Sequence, residues 1–121
     1  MNADEFVRAI GIAVRDTSIK GVIEALSMPP GRKPDPEKLR LAEWFNALND
    51  ADKENIRTIV NSAVDSTVFG FLCVLDGVVA IEEAGPKGDL ELWYVRDENR
   101  VQLNESMDLH DIYRAEPARR E

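Results

Sequence analysis

The chain has one cysteine and one histidine in 121 residues. A lone Cys73 forbids an intramolecular disulfide and any multi-cysteine metal site, so a reducing compartment is the simpler assumption. A lone His110 removes every mechanism or zinc site that needs two imidazoles. Glycine is scarce, and Gly31, Gly85 and Gly88 match neither the dinucleotide-binding nor the Walker spacing, so nucleotide binding has no support. No run of eighteen apolar residues occurs, and no charged n-region leads into an apolar h-region. These absences lead us to expect a cytoplasmic protein with no membrane segment, no cofactor, no metal and no catalytic grouping.

What the chain has in excess is negative charge. Its net charge is −8, and the excess is C-terminal: residues 1–60 carry nine Lys/Arg against ten Asp/Glu, residues 61–121 six against thirteen. An acidic half repels phosphate backbones, which argues against nucleic acid as a partner. The same field attracts a basic protein. Solubility alone is the plainer account of such a charge.

The length suits one domain spanning 1–121, with a core that needs no staple. Asn2 and Glu5 have the spacing of a capping box, and Phe6, Ile10, Ala13 and Thr17 recur at helical intervals, predicting a first helix from about Ala3. It continues through Val22, Ile23 and Leu26, with a bend expected near Thr17-Ser18 or Gly21. Pro29, Pro30 and Pro34 end it and make 28–36 an internal connector. Asp35-Pro36-Glu37 then supplies an N-cap, a proline at the first helical position and an acidic first turn. Leu41, Trp44, Phe45 and Leu48 follow on one face.

The stretch FLCVLDGVVAIEE, residues 71–83, decides the middle of the molecule. Asp76-Gly77 between apolar runs reads as a hairpin turn, yet glycine just past an apolar helix reads as a helix stop. From Asn49, which caps the start, Ile56, Val60, Ala63, Thr67 and Val74 stay within about 40° of one line at 100° per residue, so the helical phase persists. A hairpin would expose apolar residues on both faces, and the chain has too few strands to cover them. A central helix over about 50–76 with Gly77 as its left-handed cap is therefore expected. Beyond it the period changes to two: Val78–Glu83, the segment DLELWYVR and RVQLN predict a small antiparallel meander over about 78–104. Leu109–Tyr113 forms a closing helical turn, and 115–121 a frayed tail. The predicted class is α+β, a helical N-terminal two thirds of three to four helices packed on that meander.

The blocks PPGRKP, WFNAL, FGFLCVLDGV, KGDLELWYV and LHDIY resemble successive blocks of a family of small uncharacterised bacterial proteins, over about residues 29–113. The resemblance implies a bacterial cytosolic domain and carries no activity with it.

Five residues stand out as binding candidates. On an unbroken helix Asp65 and Asp76 are eleven residues apart, close to three turns, and share a face. Their separation of roughly 16 Å along the axis excludes a glycosidase pair. Asp76 falls at the negative end of the helix dipole, so a cation or backbone donors must compensate it. It is either part of a polar pocket with Asp65, His110 and Asp111, or a turn carboxylate accepting the amides that follow Gly77. Trp93 shares a strand face with Glu91 and Val95, opposite Leu90 and Leu92, and so is a candidate interface residue or lies buried under another element. Cys73, between Leu72 and Val74, reads as an inert small hydrophobe.

Three functions are consistent with this inventory. The favoured one is a non-enzymatic interaction module of immunity or regulatory type, presenting its acidic half to a protein partner, either a basic protein or a second copy in a homodimer built on the wide apolar face of the first helix or the Trp93 face. The second is a small-ligand binder with a pocket between the central helix and the sheet, lined by Phe69, Leu72 and Tyr94 with Asp76 orienting the ligand. The third, ranked last, is a small enzyme using His110 with Asp111 or Asp76.

Overall fold

The computed structural model describes residues 1–116. Helix α1 spans Ala3–Ile10, a π-helical turn Gly11–Asp16 follows, and α2 spans Thr17–Ser27. After the proline connector come α3, Pro36–Ala47, and α4, Asp50–Leu75. Strands β1, Trp93–Arg96, and β2, Asn99–Gln102, form an antiparallel pair, and α5, Leu109–Ala115, closes the described chain. The class is α+β, with a long central helix and a small antiparallel sheet, as expected.

The helix starts follow from their caps. Asn2 Oδ1 accepts the Glu5 N–H at 2.8 Å while Glu5 Oε1 accepts the Asn2 N–H at 3.2 Å, the reciprocal pair that satisfies two orphan donors of α1. Asp35 accepts the Glu37 N–H at 2.9 Å ahead of Pro36, and Asn49 accepts the Asp52 N–H at 2.8 Å at the head of α4. At the other end of α4, Gly77 has φ +75°, the Val78 N–H reaches Cys73 O and the Gly77 N–H reaches Val74 O. That is a Schellman stop, so the 71–76 run is helix and Asp76 is its last half-turn residue.

The chain divides into two compact units, one made of Met1–Val14 with the chain from Ser66 onward, the other of Arg15–Asp65. In the first, α1 packs on α5, and Val7, Val68, Leu72, Cys73, Leu103, Leu109 and Tyr113 form the core. In the second, α2 packs on α3, Ala42 and Phe45 are buried, and Lys53 lies 5.8 Å over the Phe45 ring. Asn46 Nδ2 donates to Ser27 O at 2.9 Å and ties α3 to the end of α2. Arg15 is buried there, with Nε 2.9 Å from Asp65 Oδ1 and Nη1 2.7 Å from Asp16 Oδ1.

Three expectations change. The irregularity in the first helix lies at Gly11–Asp16 rather than at Thr17-Ser18 or Gly21; the wider π turn rotates the residues beyond it, and within it Gly11 and the Arg15 side chain are buried. Residues 78–83 form no strand, so the predicted three-stranded meander over 78–104 is a two-stranded hairpin. The reason lies in the backbone groups that a third strand would need: the Asn104 side chain takes the Leu92 N–H and the Leu90 carbonyl, and Glu82 Oε1 takes the Gly88 N–H at 3.0 Å, closing the 82–88 loop on itself. Of the predicted tail 115–121, Ala115 ends α5 and residues 117–121 lie outside the described residues.

Candidate binding site

The hairpin sets Trp93 opposite Gln102, Tyr94 opposite Val101, Val95 opposite Arg100 and Arg96 opposite Asn99. Its two-residue turn is made possible by Asp97 at φ +54°. Past β2 the chain delivers Asn104, a buried amide with every hydrogen-bonding position used. Its Nδ2 donates to Leu75 O at 2.6 Å and Leu90 O at 2.8 Å, and its Oδ1 accepts from Leu92 N at 3.0 Å and Gln102 Nε2 at 3.3 Å. One side chain thereby ties the last turn of α4, the 90–92 segment and the end of β2 together.

Asp76 follows directly on that tied turn and is 2 % exposed. Its Oδ2 accepts the His110 backbone N–H at 2.9 Å and lies 2.5 Å from His110 Nδ1. The compensation demanded by its place at the negative end of α4 thus comes from the positive end of α5, where His110 is the second residue, and from the imidazole. The Gly77 and Val78 N–H groups go to helix carbonyls, so the reading of Asp76 as a carboxylate serving its own turn is replaced by one in which it accepts from the start of a distant helix. Asp108, the residue at the cap position of α5, makes no side-chain capping bond.

His110 is held from its other sides as well. The Phe69 ring meets it edge-on, with centroids 5.9 Å apart and planes at 66°, and the Arg114 guanidinium lies 3.8 Å over Phe69. His110 Nε2 is 3.5 Å from Asp111 Oδ1. Burial pushes the Cys73 thiol up from its ordinary range, the Asp76 and Asp111 carboxylates reinforce this, and Arg114 opposes it. That thiol is held neutral, the opposite of what a nucleophile needs.

Asp76 also forms part of the wall of a cleft of about 310 Å³. Asp89, Glu91 and Glu105 line the same cleft, with Asn104 and Gln102 among its polar walls and no lysine, arginine or histidine among the described residues that line it. Among the described residues the Asp76 Oδ1 atom is buried and has no hydrogen-bond partner. A buried carboxylate oxygen in that condition is costly to keep unless something donates to it.

Of the five residues expected from sequence, Asp76, His110 and Asp111 come together. Asp65 belongs to the other unit and is engaged by Arg15. Trp93 is 40 % exposed on the hairpin, its Nε1 donating to Glu91 Oε1 at 2.9 Å and its ring lying under the Arg100 guanidinium at 5.2 Å. Of the residues assigned to an apolar ligand pocket, Phe69 and Asp76 both contact His110, and Leu72 lines an apolar groove. Asn104, Asp89, Glu91 and Glu105 were not singled out from sequence; the acidic surplus of residues 61–121 was the available signal for the last three. Among the described residues no group of three His, Cys, Asp or Glu is placed to hold a metal ion. Comparison with protein-family models, curated proteins and solved structures gives no match.

Proposed function

We propose that the protein is a binding module that receives a cationic side chain of a basic protein partner in the cleft walled by Asp76, Asp89, Glu91 and Glu105. The observation that carries this reading is the gathering of four carboxylates around one cleft, with an Asp76 oxygen that has no donor among the described residues. A guanidinium or ammonium group suits such a cleft, giving charge-assisted hydrogen bonds to its exposed carboxylates, of which Glu91 is already held by the Trp93 indole N–H. Asp89, Glu91 and Glu105 are exposed and make the contact, while the buried Asp76 carboxylate lies behind them in the cleft wall. An immunity or regulatory protein that occupies a basic surface of its target would work in this way.

The test uses a hexa-arginine peptide and fluorescence anisotropy. Binding is expected to weaken as salt is raised. The triple variant Asp89→Asn, Glu91→Gln, Glu105→Gln should lose about tenfold or more in affinity, since each tenfold is only about 1.4 kcal/mol. A control triple variant, Glu24→Gln, Glu43→Gln, Glu98→Gln, removes the same charge elsewhere and should bind like the wild type. Equal losses in the two triple variants would reduce the effect to bulk charge and defeat the proposal, as would an absence of binding.

One observation favours a second reading, an enzyme with His110 as general base: Asp76 orients the imidazole as a carboxylate does in hydrolytic triads. The neutral, buried Cys73 does not complete such a site, and the cation-binding reading uses the acidic cleft that the enzymatic one leaves unexplained.

A further inference from the structure

Strand β1 pairs with β2 along one edge only, and the pairing fixes which of its backbone groups are used. The Leu103 N–H donates to Leu92 O at 2.7 Å, so Leu92, Tyr94 and Arg96 turn their amides and carbonyls toward β2 and the alternate residues turn theirs away. Asn104 extends the alternation by one step, because it takes Leu90 O and the Leu92 N–H on that same side. Glu91, Trp93 and Val95 therefore present their N–H and C=O groups along the open edge. Among the described residues none of these groups has a hydrogen-bond partner. All three residues are exposed, Val95 at 52 %. Strand edges in folded proteins are commonly guarded by a proline, a lysine or a bulge. Residues 91–96 contain no proline and no lysine, and the register with β2 runs without a bulge.

We infer that the basic partner docks on this edge by adding an extended segment of its own as a third strand, its backbone pairing with Glu91, Trp93 and Val95 and its cationic end entering the acidic cleft. The inference rests on the cation-binding reading and adds to it the form in which the cation arrives. An extended peptide brings donors and acceptors at the repeat of the edge itself. Its chemistry follows from the charges along that edge. At one end Glu91 belongs to both features, standing on the edge and in the cleft wall with Asp89 and Glu105. Toward the hairpin turn Arg96 and Arg100 take over, the Arg100 guanidinium lying over the Trp93 ring. A segment with arginine or lysine at the cleft end and uncharged residues along Trp93 and Val95 matches this polarity, whereas a basic residue at the far end meets like charge. A second copy of the chain is the competing occupant. It is disfavoured because antiparallel pairing of two such edges sets Asp89 and Glu91 of each beside the Asp97-Glu98 turn of the other, in chains that each carry a net charge of −8.

The test uses the hexapeptide Arg-Arg-Val-Thr-Val-Thr, acetylated and carrying a C-terminal fluorophore, beside the same peptide N-methylated at its four uncharged residues, which keeps every charge and side chain and removes those backbone donors. Methylation should weaken binding to the full chain by about tenfold or more, the equivalent of one or two backbone hydrogen bonds. The unmethylated peptide should slow hydrogen exchange at the Trp93 and Val95 amides and leave α3 unchanged. Val95→Pro removes one outward donor at a position that an edge strand tolerates, and should lower affinity for the unmethylated peptide. Should that variant fail to fold, the two peptides and the exchange measurement carry the test on the wild type. Equal affinities for the two peptides, with exchange at Trp93 and Val95 unchanged, overturn the inference; the cleft reading survives that result if hexa-arginine still binds and still loses affinity in the triple variant. No binding of either the hexapeptide or hexa-arginine removes both. A wild type that sediments as a dimer with its Trp93 and Val95 amides already protected assigns the edge to a second copy and also overturns the inference.

Discussion

Asp76 Oδ2 accepts the backbone N–H of His110 at 2.9 Å and lies 2.5 Å from Nδ1 of the same residue, so a single carboxylate oxygen fixes both the start of α5 and the orientation of its imidazole. The two residues are 34 positions apart, and this contact closes the loop that contains the whole hairpin. The second oxygen of Asp76 is buried and has no hydrogen-bond partner among the described residues. Fold and proposed binding meet in this residue, which also stands in the cleft wall.

Removing the imidazole takes one partner from a buried carboxylate. His110→Ala should destabilise the protein by about 1–3 kcal/mol, the order found when a buried polar group loses one of its hydrogen-bond partners, the backbone N–H of residue 110 remaining as a donor. Asp76→Asn should cost less, because the amide oxygen still accepts the His110 N–H. In a double-mutant cycle read by urea denaturation, the two changes should couple by roughly 1–3 kcal/mol. Additive effects would mean that the short contact contributes nothing beyond its parts.

Asn104 holds three segments at once, and its substitution should be felt in all of them. Asn104→Ala leaves Leu75 O and Leu90 O without their donor and the Leu92 N–H without its acceptor. The expected loss is about 2–4 kcal/mol, since each buried group left unpaired costs on the order of 1–3 kcal/mol before relaxation. Asn104→Asp should be worse still, because it turns a carboxylate toward two carbonyls. Hydrogen exchange would locate the damage: protection should fall at Leu92 and at the amides around Asp76, while α2 and α3 keep theirs. Uniform loss of protection would show that Asn104 acts on global stability alone.

How far the sequence discloses this arrangement depends on the range of the interactions. The caps at Asn2, Asp35 and Asn49 and the stop at Gly77 are local, set by residues within three or four positions, and each is legible as a motif. The end of α4 is legible for the same reason, although Asp76-Gly77 also resembles a hairpin turn. Val78–Glu83 misleads because β-branched residues report only a willingness to be extended; whether they pair depends on a neighbour, and here Asn104 and Glu82 claim the neighbouring backbone groups. Asn104 itself bonds across 12, 14 and 29 positions, and nothing local marks it. Asp76, His110 and Asp111 were nominated by chemistry rather than by contact, and Asp65, nominated on the same helix, is taken by an arginine whose inward turn comes from a π-helical irregularity.

Cys73 gives a pH signature that involves no ligand. Burial, reinforced by the Asp76 carboxylate, raises the folded thiol above its ordinary range. In the unfolded chain the thiol ionises near its usual value of about 8.5. Above that pH the unfolded state has lost a proton that the folded state retains, so unfolding is favoured by each further rise until the folded thiol ionises too. The stabilising contribution is thus fully present below about pH 8.5 and declines on the alkaline side. The urea midpoint of the wild type should fall between pH 8 and pH 10 by more than that of Cys73→Ala, whose midpoint starts lower because a buried side chain has been truncated. Iodoacetamide should in turn label the native thiol slowly and the urea-unfolded thiol fast. Rapid labelling of the folded protein at pH 8, with parallel pH profiles for the two proteins, would show that Cys73 ionises as freely as an exposed cysteine and would contradict its burial on α4.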